Sequence, residues 1–137
     1  MNAEVEPQFV DTDILVYAYD ETAGDKHQKA KQLIDGFWLS GSGCLSVQVL
    51  QEFYVTATRK LSMPVNVNIA GQIVRDLAQW KVHAPDSSDV SEAIELHQRS
   101  DISLWDTLIV HSAARLGCRI LHRRSEFGPG ARWSAGS

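Results

Sequence analysis

Apolar positions along this chain fall into two rhythms. Gln8 to Val10, Cys44-Leu45, Lys81 to Ala84 and Arg119 to Leu121 are short stretches centred on apolar residues, and they predict buried strands. The longer segments between them repeat at three- and four-residue spacing and predict helices. One helical segment begins over Ile14 to Tyr19, with Asp11, Thr12 and Asp13 as candidate caps. After a loop at Glu21 to Asp25, a second runs from about Lys26 to Ser40-Gly41 through Ala30, Leu33, Ile34 and Phe37. A third, capped by Ser46, presents Val47, Leu50, Phe53, Tyr54 and Ala57. Met63-Pro64 breaks the chain, and a fourth covers about Val67 to Trp80 through Ile69, Ile73, Val74 and Leu77. The fifth follows Asp86-Ser87-Ser88 and carries Val90, Ala93, Ile94 and His97. The sixth starts after Ser103 and stops at Leu116, with Gly117 as its C′ residue.

Strands alternating with helices predict an α/β fold, a short parallel sheet flanked by helices on both sides. In such sheets ligands bind beyond the carboxyl ends of the strands. Three acids stand at strand-to-helix junctions or in first helical turns: Asp11 in Phe9-Val10-Asp11-Thr12-Asp13, Glu52 in Leu50-Gln51-Glu52-Phe53, and Asp106 in Leu104-Trp105-Asp106. Acids so placed can converge at one sheet edge, where their repulsion is relieved by a raised pKa or a hard cation. Each also has a plainer reading: Asp11 or Asp13 as a helix cap, Ser103 to Asp106 as a capping box, Glu52 as a solvated charge.

At 137 residues the chain is expected to form one domain, 1–137, with 44% hydrophobic and 22% charged residues. A net charge of -4 argues against a broad basic footprint for nucleic acid. It leaves room for a nuclease, because a bound cation reverses the local charge of an acidic site. No apolar run reaches membrane-spanning length and the first residues lack a signal-like core, so a cytoplasmic protein is expected. Cys44 and Cys118 lack metal-type spacing and read as small buried hydrophobes. The five histidines show no zinc-site spacing and are expected to be surface or partly buried. Trp38, Trp80, Trp105 and Trp133 read as core or interface residues, and Arg115, Arg119, Arg123 and Arg124 as a solvated face.

Phe9 to Asp20 (FVDTDILVYAYD), Leu45 to Lys60 (LSVQVLQEFYVTATRK) and Ile102 to Ala114 (ISLWDTLIVHSAA) together resemble a PIN domain, of the kind found in VapC-type toxins of bacterial toxin–antitoxin pairs. The resemblance implies a Mg²⁺- or Mn²⁺-dependent ribonuclease with Asp11, Glu52 and Asp106 as its metal-binding acids. It also implies an RNA substrate, a cognate antitoxin and often a homodimer. Asp13 stands where the family commonly has Asn, which suggests a supporting or capping role, while Thr12 and Ser103 are placed to hydrogen-bond the acids or a water.

The pattern departs at the C-terminus. The family's last core strand is usually followed by a turn resembling Thr-Glu-Asp-Leu and then Gly; here His122-Arg123-Arg124-Ser125-Glu126-Phe127-Gly128 follows, with Arg124 at the fourth acid's position. A cation there opposes metal binding, and Glu126 is out of register. Codons for His-Arg-Arg-Ser-Glu-Phe-Gly exist that, read one base later, give Thr-Glu-Asp-Leu-Asn-Ser. An out-of-frame segment from about His122 is one reading; a natural or vector-derived tail is the other. Without that tail the chain carries 10 basic and 16 acidic residues, a net charge of -6. Two further functions compete. A PIN-like module with an incomplete site would bind antitoxin or RNA without cutting. The Asp11-Thr12-Asp13 start also resembles haloacid-dehalogenase phosphatases, although their downstream paired-acid loop is missing.

Overall fold

The structure, a computed structural model, describes residues 6–120. Among these residues the elements run β1 (Gln8–Phe9), α1 (Thr12–Tyr19), α2 (Asp25–Ser40), β2 (Gly43–Ser46), α3 (Val47–Arg59), α4 (Val67–Leu77), β3 (Lys81–His83), α5 (Ser87–Gln98), α6 (Leu104–Leu116) and β4 (Arg119–Ile120). The sheet is parallel throughout, in the order β3-β2-β1-β4. Gln8 pairs with Gly43 on one side and with Arg119 on the other.

Given this order, crossover handedness fixes where the helices lie. Parallel strands joined through helices cross over right-handedly. The chain steps outward from β1 to β2 to β3, then returns past β1 to β4. The reversal sends α5 and α6 to the face opposite α1 to α4. The strand order switches at β1, and sheets of this kind bind ligands beyond the carboxyl end of the strand at such a switch.

The core is built from Phe9, Val10, Ile14, Leu15, Ile34, Leu45, Val49 and Phe53, all buried, with Leu77 closing it from α4. Near-continuous burial of β1 and β2 is what a parallel sheet covered on both faces requires. Gly43 is needed where the indole of Trp80 crosses β2: a Cβ there would lie 2.6 Å from its Cε3 atom. Trp80 also packs edge-on against Phe37 and Trp38, a core role for this tryptophan.

Most predicted boundaries hold, because caps set them. Asp11, Ser46, Asp86 and Ser103 cap α1, α3, α5 and α6, and Gly117 ends α6 at φ 69°. Several expectations are corrected. The Glu21 to Asp25 loop contains a 3₁₀ turn at Glu21–Ala23, held by Asp20, which accepts from the backbone N–H and hydroxyl of Thr22. Helix α4 ends at Leu77, three residues early, and its Ile69 is exposed. In α3 the buried face is Val49, Leu50, Phe53, Thr56 and Ala57, whereas Val47 and Tyr54 face outward. In α5, Val90 and Ile94 are exposed; Asp89 and Ala93 are its buried residues. Both cysteines are free, Cys44 buried and Cys118 half-buried. No described helix is long and apolar enough to cross a membrane. Leu121, the segment from His122 with Arg123, Arg124 and Glu126, and Trp133 lie outside the described residues.

Candidate functional site at the carboxyl edge of the sheet

Asp11 stands two residues beyond the end of β1 and is 1% exposed. Its extended backbone makes it the N-cap of α1, and its Oδ1 accepts the N–H of Asp13 at 3.2 Å. The cap holds the carboxylate just beyond the carboxyl end of β1, so capping is compatible with a site role on the same side chain. Asp13 is also buried, at 3%.

Glu52 lies in the second turn of α3, half-buried. The Thr12 hydroxyl donates to its Oε1 at 2.7 Å, and the Gln48 amide donates to its Oε2 at 3.3 Å. Two neutral donors thus orient both oxygens, and a carboxylate so held keeps lone pairs for further partners. Gln48 reaches onward to the carbonyl of Trp105 at 3.4 Å, the residue before Asp106. Asp106, half-buried in the first turn of α6, donates its backbone N–H to the Ser103 Oγ at 3.1 Å. A polar line Thr12–Glu52–Gln48–Trp105 therefore ties together the three segments that carry the predicted acids.

Gln48 is a part of this site that the acid pattern does not point to. The signal was present, since it stands four residues before Glu52 on the same helical face. Trp105 is 45% exposed beside this edge, a surface position rather than a core one.

A second polar cluster was not legible in the sequence. It forms where β3, α5 and α6 meet. His111 Nε2 lies 2.8 Å from Asp89 Oδ1 and 3.5 Å from Glu92 Oε1, and His83 Nε2 lies 3.4 Å from Asp89 Oδ2. Arg115 Nε approaches Asp89 Oδ1 at 3.4 Å, and Arg119 pairs with Glu6 at 3.2 Å. The backbone N–H of Asp86, then the His111 ring, hold the Asp89 carboxyl well below the usual carboxylate range. His83 and His111 are partly buried, as expected of the histidines, but they share one carboxylate. His27 and His97 are spent on the carbonyls of Tyr17 and Ile102.

The PIN domain family model matches residues 9–127. No curated protein gives a significant match. Among solved structures, the chain is similar to Mycobacterium tuberculosis VapC20, described as a Sarcin-Ricin loop cleaving toxin: TM-score 0.61, 18% identity, 81% of this chain and 84% of that one. It is also similar to a toxin–antitoxin complex from Klebsiella pneumoniae: TM-score 0.62, 19% identity, 93% of this chain and 96% of that one.

Proposed function

The chain belongs to the PIN domain family, and from that premise we propose that it is a metal-dependent endoribonuclease, the toxin of a toxin–antitoxin pair. The observation that carries this reading is the hydrogen-bonded line from Thr12 through Glu52 and Gln48 to Trp105. It joins three acid-bearing segments at the carboxyl edge of a parallel sheet, where α/β proteins bind ligands.

The donor set fits a hard cation. Asp11, Glu52 and Asp106 offer carboxylate oxygens, the ligands that suit Mg²⁺ or Mn²⁺, and would hold such an ion together with water and phosphate oxygens. When bound, the ion lowers the pKa of water and neutralises charge that builds on the phosphate. The chain's own residues supply position. The α1 cap holds Asp11, while Thr12 and Gln48 fix both oxygens of Glu52. Both oxygens of Glu52 keep lone pairs with which the carboxylate would hold a metal or a water. An RNA strand entering at this edge meets half-buried Glu52 and Asp106 before buried Asp11. A cognate antitoxin and homodimerisation belong to the same reading, as does a single domain spanning the chain. A cytoplasmic location agrees with an RNA substrate.

The test is cleavage of structured RNA with and without Mg²⁺ or Mn²⁺. Asp11→Ala and Asp106→Ala should each lower the rate about 100-fold or more, the loss of several kcal/mol of charge stabilisation. Thr12→Val, which frees Glu52 without removing an acid, should cost about tenfold. Equal cleavage by all variants sinks the assignment. Tight RNA binding with no metal-dependent cleavage by the wild type would instead favour a non-catalytic module, the outcome that Arg124 at the fourth acid position would bring about.

A further inference from the structure

We propose that Asp89, Glu92 and His111, with His83 beside them, form a second divalent-cation site, of the zinc type, that pins α5 to α6 and to β3. Its ligand atoms already converge. One oxygen each from Asp89 and Glu92 and one nitrogen of His111 lie within 4.8 Å of one another. Ligands held at about 2.0–2.1 Å around a tetrahedral ion stand about 3.3 Å apart. His111 Nε2 stands 2.8 Å from Asp89 Oδ1 and 3.5 Å from Glu92 Oε1, on either side of that value, and His83 Nε2 lies 3.4 Å from Asp89 Oδ2.

The histidines are aimed as ligands are. Both Nε2 atoms face the same carboxylate. The other nitrogen of His83 is held by the Ser112 hydroxyl at 2.8 Å, and Ser112 is 1% exposed. A buried partner on the far nitrogen fixes the ring orientation, and a hydroxyl there accepts Nδ1–H in the tautomer that leaves Nε2 free for a metal. Two imidazoles and two carboxylates favour zinc-like ions over Mg²⁺, which prefers an all-oxygen shell.

Charge and access agree with this. Two carboxylates and two neutral imidazoles balance one dication. Arg115 now supplies part of that countercharge, but its side chain is 57% exposed and swings outward at little cost. The side chain of Glu92 is 57% exposed too, which leaves an entry path. The site is separate from the catalytic edge. His111 follows Asp106 by five residues, which turns it about 140° around α6.

The fold gives such an ion a purpose. Ala93 is the buried apolar residue of α5, and the buried Asp89 carboxylate is the polar link from that helix to β3 and α6. Ion binding to the folded site adds directly to the stability of that attachment.

The experiment is a Zn²⁺ titration of the full chain by calorimetry in millimolar Mg²⁺, with thermal unfolding in parallel and Co²⁺ absorption to read the coordination. The wild type should bind one Zn²⁺ and gain melting temperature, and Co²⁺ should give the visible bands of a four-coordinate site. The Asp11→Ala/Asp106→Ala double variant should keep all three. Glu92→Gln, at an exposed position that leaves the apo fold intact, and His111→Gln should each weaken binding at least tenfold. Ser112→Ala should weaken it about tenfold. Absence of Zn²⁺ binding by the wild type overturns the proposal. So does binding that survives Glu92→Gln and His111→Gln but is lost in the double variant.

Discussion

At the residue scale the clearest chemical signature outside the acids is Cys44. Burial, and then the neighbouring Cys118 thiol, push its pKa up to about 12. Its Sγ donates weakly to the Ser42 carbonyl at 3.9 Å. The folded state therefore favours the neutral thiol. That contribution is complete below the ordinary thiol value near 9 and is lost as pH rises toward 12. Two outcomes are expected from denaturant titrations and alkylation between pH 8 and 11. The native thiol of Cys44 should resist iodoacetamide throughout, and Cys44→Ala should lose less stability over that range than the wild type. Residue-level legibility was uneven for a physical reason. Asp11, Glu52 and Asp106 could be singled out because position relative to a strand end is a local property. His83, Asp89 and His111 could not, because three separate elements bring them together and no spacing records it. Gln48 lay between these cases, visible as a helical neighbour of Glu52 but with nothing in the sequence to say that it reaches Trp105.

At the element scale, caps made the boundaries readable and packing made the faces unreadable. Ser46 and Ser103 each accept the backbone N–H three residues on, and that preference is written in the sequence. Which side of α3 is buried depends on what lies beside it. Val47 and Tyr54 fit the expected apolar stripe, yet Thr56 takes a buried place instead. Helix α3 begins at the end of β2 and carries Glu52, so its first turn sets one acid's position. Ser46→Ala should lower unfolding free energy by about 1 kcal/mol, measured by urea denaturation. Cleavage should change much less, because Thr12 and Gln48 still hold Glu52.

At the scale of the whole molecule, the α/β class and the parallel sheet were legible from alternation, but strand order was not. β1 and β4 hold two residues each, too few to carry a pairing preference. The central position of β1 predicts a gradient of protection. The Val10 N–H, bonded to the Cys44 carbonyl at 2.9 Å, should exchange with deuterium among the slowest amides, and those of edge strand β3 should exchange faster. Comparable rates at both places would contradict the strand order.

The same sheet order has a bearing on synthesis. Pairing β1 with β4 joins residue 8 to residue 119, a closure whose entropic cost is about 4 kcal/mol before any constant. On the ribosome Asp11 emerges long before β4, a lag on the order of 10 s at ordinary translation rates. Until β4 arrives, the strand leading to Asp11 has an open edge, and α6 with Asp106 is itself only newly made. The carboxyl edge that bears the three acids therefore comes together only after β4 has been made and has docked beside β1.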